Sequence, residues 1–66
     1  METLRTAREK AGLSQAELGR RMKIDPSIVR HVEAGRLKPY PRFRRVAAGI
    51  LQMEESELFP ETTQAR

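Results

Sequence analysis

Cysteine is absent from these 66 residues, which excludes disulfide staples and thiolate metal sites. The absence is compatible with a reducing cytoplasm and says little more about compartment. Aromatic side chains are scarce: Tyr40, Phe43 and Phe59 are the only three, and there is no tryptophan. A core with so few rings must be assembled from many modest aliphatic contacts, so a domain of this size is expected to be marginally stable. No apolar run approaches the eighteen or so residues of a membrane span, and the stretch from Met1 to Ala11 is too polar for a secretory signal. A soluble cytoplasmic protein with no membrane partner is the expectation. His31 is the one histidine, so a metal centre would lack converging ligands, and no cofactor is expected. Gly12, Gly19, Gly35 and Gly49 are scattered rather than gathered into a phosphate-cradling loop. Glu54, Glu55 and Glu57 lie in a solvated run beside no candidate nucleophile, so catalysis is not expected.

The residues that are present carry a definite pattern between Gln15 and Ala34. Leu18 and Met22 are four apart and share one helical face, while Val29 and Val32 are three apart and share another. Ile24 falls between them, placed to plug the angle of a turn. Together they read as two short crossed helices, a helix-turn-helix. Gly19 follows Leu18 where a larger side chain would hold the second helix away, which gives its helix-propensity penalty of roughly 1 kcal/mol a packing reason. Ser14 and Glu17 form a capping box for the first of the two helices, and Asp25 with Pro26 supplies an acidic N-cap and a first-position proline for the second. Gly35 ends that second helix, expected over Pro26 to Ala34. At about nine residues it is too short to stand alone in water.

Around this pair the chain reads as an all-α bundle. A first helix is expected over roughly Glu2 to Ala11, with Leu4, Ala7, Arg8 and Ala11 at helical spacing, Gly12 as its stop and Leu13 folding back onto the core. Arg36 to Pro41 reads as a loop because two prolines flank Tyr40. A fourth helix runs from about Arg42 to Leu51 with Phe43, Val46, Ala47 and Ile50 on one face, although Leu51 and Met53 permit a register shifted by one. A short last helix over Glu54 to Phe59 presents Leu58 and Phe59 to the core or to a partner. The length allows one domain, taken as residues 1–60, with 61–66 as a flexible polar tail.

Charge is concentrated along the chain. From Arg20 to Arg45 nine basic residues face two acids, a local net charge of +7, whereas Glu54 to Glu61 holds four acids and no base. A positive block coinciding with the second helix of the pair and its flanks suits a polyanion such as double-stranded DNA.

The run LRTAREKAGLSQAELGRRMKIDPSIVRHVEAGRLKP, followed by ESELF, resembles the Cro/C1-type (XRE) helix-turn-helix family of phage repressors and bacterial transcriptional regulators. The likeness covers Leu4 to Phe59 and is most specific in GLSQAEL and VEAGRLKP. It implies a compact five-helix, lambda-repressor-like bundle. Lys23 departs from the pattern, since this family usually has a glycine of positive φ there. A lysine in that conformation costs roughly 1 kcal/mol, unless the turn itself differs. The loop from Lys38 to Phe43 also differs in length from the best-known repressors.

The resemblance places the base-reading positions on Asp25, Pro26, Ser27, Arg30 and His31, near the start of the helix that would enter the major groove. Pro26 offers only apolar contact and Ser27 discriminates weakly. Arg30 can be bidentate to guanine, worth about 1–3 kcal/mol of discrimination, and is the strongest specificity candidate. His31 reaches a base, a phosphate or neither; Ile28 touches a thymine methyl or turns inward. By the same resemblance Gln15 grips a phosphate at a helix N-terminus, and Arg36, Lys38 and Arg42 grip the next ones. With about four to six such contacts per subunit, affinity falls steeply with salt, near −0.9 in log–log slope per contact. Arg20, Arg21, Arg44 and Arg45 read as steering charges. Arg8 and Glu33 match a largely buried ion pair of the resembling repressors, so removing Glu33 should unfold the domain. A regulator of this kind is expected to act as a homodimer on a pseudo-palindromic operator, with Tyr40, Leu58 and Phe59 as interface candidates. The competing reading is an antitoxin or adaptor of the same fold that binds a protein partner.

Overall fold

The computed structural model describes residues 2–60. It contains five helices: α1 (Glu2–Lys10), α2 (Gln15–Met22), α3 (Pro26–Glu33), α4 (Pro41–Leu51) and α5 (Glu55–Leu58). The stretch 61–66, expected to be a flexible tail, lies outside the described residues.

The starts of α2, α3 and α4 have local causes. The Ser14 hydroxyl accepts from the Glu17 amide at 3.0 Å while the Glu17 carboxylate accepts from the Ser14 amide at 2.8 Å, closing the capping box of α2. Asp25 caps α3 by accepting from the Ser27 amide at 2.9 Å, and Pro26 occupies the first helical turn without losing a needed N–H. The same device starts α4 at Pro41, earlier than the Arg42 expected, because the proline that opposes a preceding helix also opens the next one.

Four helix ends share one solution. Gly12, Lys23, Gly35 and Gln52 all have positive φ, at 75°, 61°, 81° and 57°. After α2, the Lys23 amide donates to Arg20 O at 3.1 Å and the Ile24 amide to Gly19 O at 2.9 Å, the paired bonds of a Schellman motif. Lysine therefore adopts the left-handed conformation that the resemblance assigns to glycine, and these two bonds close the turn.

All five helical segments contribute to one core. Leu4 from α1, Leu18 and Met22 from α2, Val29 and Val32 from α3, Phe43, Ala47 and Ala48 from α4, and Leu58 and Phe59 at the end of α5 are buried. Leu13, Ile24 and Ile28 pack against them from the rim. The register of α4 is now settled: Phe43, Ala47 and Ala48 point into the core, while Val46, Ile50 and Leu51 flank it half-buried.

The interface role expected of Leu58 and Phe59 does not hold. Both are fully buried in the chain's own core, and the Phe59 ring meets Phe43 edge-on at 6.1 Å. The first turn of α5, where the Glu54 amide donates to the Glu57 carboxylate at 3.2 Å, folds these side chains back over α4. Among the described residues no helix is long and apolar enough to cross a membrane.

Candidate nucleic-acid interface

The position of α3 is set by how closely it approaches α2. A Cβ built on Gly19 would stand 2.9 Å from Pro26 Cα, 3.1 Å from Pro26 N and 3.3 Å from Ile24 O, so only glycine admits the backbone that begins α3. Val29 and Val32 are then buried on one side of α3, which leaves the other side to solvent. Asp25, Pro26 and Arg30 are exposed there, and Ser27 and His31 are half-exposed at its edges. Ile28 is half-buried and packs against the core, so the inward alternative describes most of its surface.

Asp25 is engaged before any ligand arrives. Its hydrogen bond from the Ser27 amide holds its carboxyl below the usual aspartate range. Glu17 is held low in the same way by the Ser14 amide and hydroxyl.

The C-terminal end of α3 is tied to α1 and α2 through Glu33. Glu33 Oε2 accepts from Arg8 Nε at 2.7 Å and Oε1 from Arg8 Nη2 at 3.1 Å, with the two side chains only 5% and 10% exposed. Arg8 Nη1 also donates to Leu13 O at 2.8 Å, so the guanidinium fork is fully placed. Hydrogen bonding to Glu33 raises the Arg8 pKa, against the opposing effect of burial. Gln15, the first residue of α2, donates from Nε2 to Glu33 Oε1 at 3.0 Å and is half-buried. A shallow cleft of about 350 Å³ opens beside this cluster, with Arg5, Gln15 and Arg30 among its walls.

Beyond α3 the loop to α4 exposes Arg36, Lys38 and, at the start of α4, Arg42. Leu37 and Tyr40 are the large apolar side chains exposed in the same loop, at 39% and 37%. The loop is not free to drift, because Pro39 is buried and its carbonyl accepts from Arg44 Nη1 at 2.8 Å. Arg44 Nε lies 3.6 Å from the Glu55 carboxylate. Arg44 therefore holds the loop against α4 and α5 and is not the free steering charge expected of it, whereas Arg20, Arg21 and Arg45 are exposed. Sequence reasoning missed this tether, as it missed the Gln15 contact to Glu33 and the exposed Leu37. The residues involved are far enough apart in sequence, or generic enough in type, that no local signal marks them.

Two crossed helices, the second presenting an exposed N-terminal half flanked by cations, define the class of DNA-binding helix-turn-helix domains. A family model described as a helix-turn-helix domain matches residues 2–58, and the chain belongs to that family. Comparison with curated proteins and with solved structures gave no match.

Proposed function

We propose that this chain is a sequence-specific transcriptional regulator of the Cro/C1 type, a repressor that inserts α3 into the major groove of double-stranded DNA. The observation that carries the reading is the Gly19–Pro26 contact, which fixes α3 with its valines inward and Pro26 and Arg30 outward. In this reading Asp25, Pro26, Ser27, Arg30 and His31 meet base edges, with Arg30 supplying most of the discrimination. Asp25 Oδ1 is already used as the cap of α3, which leaves Oδ2 to accept from a base. Gln15, Arg36, Lys38 and Arg42 meet phosphates. The cations among them set the salt dependence, while the neutral Gln15 adds a hydrogen bond without releasing a counterion.

A helix of eight residues reads few base pairs, so two copies on half-sites centred about 34 Å apart are the economical arrangement. With Leu58 and Phe59 buried, Leu37 and Tyr40, the exposed large apolar side chains among the described residues, are the candidate surface for self-association. Selection of bound duplexes from a random pool tests the reading. An enriched two-fold motif, whose preferred base is relaxed at one position per half-site by Arg30→Ala, is the expected result. No enrichment, or tight binding to a protein with only sequence-blind DNA affinity, would point instead to the adaptor role.

A further inference from the structure

We propose that Glu33 is a positioning residue for DNA contact as well as half of a buried ion pair: its carboxylate aims the Gln15 amide into the cleft beside Arg30 before DNA arrives. This inference rests on the DNA-binding reading above. One carboxylate oxygen, Oε1, receives both Arg8 Nη2 at 3.1 Å and Gln15 Nε2 at 3.0 Å. The other oxygen, Oε2, receives Arg8 Nε at 2.7 Å, so the two-point fork prevents the carboxylate from turning. Arg8 is fixed in turn by Leu13 O. A glutamine on a solvated helix start would sample several rotamers. Here one N–H of its amide is held from behind by a group that cannot rotate, and the amide sits in the wall of the cleft that Arg5, Glu9 and Arg30 also line, where its second N–H is available to a ligand. Ordering that side chain in advance removes an entropic cost from the contact it makes.

The arrangement also couples three elements. Arg8 is on α1, Gln15 opens α2 and Glu33 is the last residue of α3, so the ion pair and the DNA-facing amide move as one unit. A purely structural ion pair would not need Gln15.

Two double variants separate positioning from folding. Arg8→Met with Glu33→Leu replaces the pair by apolar groups, a change that buried ion pairs commonly tolerate. Arg8→Met with Glu33→Gln also removes both charges but keeps an acceptor for Gln15. On the selected duplex the Leu variant should bind about fivefold more weakly than the parent with an unchanged log–log salt slope, and the Gln variant should fall between the two, because its amide keeps an acceptor for Gln15 without the Arg8 fork that stops it turning. Gln15→Ala should weaken the parent by the same factor and the Leu variant not at all. In the free protein, the Gln15 side-chain amide resonances should show slowed exchange in the parent and the Gln variant only, a readout independent of DNA. Equal affinities of the two folded double variants, or an undiminished effect of Gln15→Ala in the Leu background, would overturn the proposal. A tethered amide in a protein that no duplex binds would instead defeat the DNA reading, and the positioning role with it.

Discussion

Gly19 and Gly49 make a matched pair on which two physical effects predict opposite signs. Both lie inside helices, in α2 and α4, and on helix propensity alone either one replaced by alanine should stabilise by roughly 1 kcal/mol. Around Gly49 nothing lies within 4 Å of the added methyl, so Gly49→Ala should realise that gain. At Gly19 the methyl would meet Pro26 Cα at 2.9 Å and Pro26 N at 3.1 Å. These are backbone atoms at the first turn of α3, and no side-chain rotation can relieve the clash. Overpacking of this kind costs typically about 1–3 kcal/mol. Set against the propensity gain, Gly19→Ala should be destabilising by up to about 2 kcal/mol, which in a domain of this size lowers Tm by up to about 15 °C. Thermal denaturation followed by far-UV circular dichroism, with all three proteins at one pH and ionic strength, measures both shifts. A raised Tm for Gly19→Ala, matching that of Gly49→Ala, would refute the claim that the α2–α3 approach is glycine-limited. The outward placement of Arg30 would lose its footing with it.

Other outcomes follow from the same contacts. Lys23→Gly should stabilise by about 0.5–1 kcal/mol: relief of the left-handed cost of a side chain exceeds the extra freedom glycine brings to the unfolded chain, and Lys23→Ala should show no such gain. Equal melting temperatures for the glycine and alanine variants would count against it. Glu33→Ala leaves Arg8 buried without its fork and should cost about 3–5 kcal/mol, close to the whole stability of a small domain, so urea titration should find it largely unfolded. Asp25 and Glu17 have carboxyl pKa values depressed by their cap hydrogen bonds, so their contribution is complete above the ordinary carboxylate range and is lost as pH falls through the lower folded values. Tm should accordingly stay level from neutral pH to about 5 and decline below about 4. Asp25→Asn, which keeps an acceptor but does not titrate, should flatten part of that decline.

How much of this was legible beforehand depended on how local the cause was. The capping box at Ser14 and Glu17, the Asp25–Pro26 start of α3 and the left-handed ends at Gly12 and Gly35 could be read because the residues that decide them are adjacent and chemically specialised. Lys23 and Gln52 adopt the same left-handed conformation without advertising it, since neither side chain favours it and the backbone hydrogen bonds that close the two helix ends hold it. The Lys23 geometry was reached only through family likeness, and Gln52 not at all. The Glu54 to Phe59 segment showed the opposite failing. Its apolar pair was visible, but whether it faced inward or outward was not, because a four-residue helix has no face of its own until α4 receives it.

The sequence by itself determined the five helices, the caps that open α2 and α3, the glycine stops at Gly12 and Gly35 and the valine and leucine spacing that gives an inner side, because these are set by interactions reaching only a few residues along the chain. It also determined that Gly19 needed a packing reason. Only the tertiary structure decided which backbone lies against Gly19, that Arg44 holds Pro39, and that Gln15 is tied to Glu33. The last of these joins residues eighteen apart, and side-chain contacts across helices depend on crossing geometry that is settled only when all five elements close on one core.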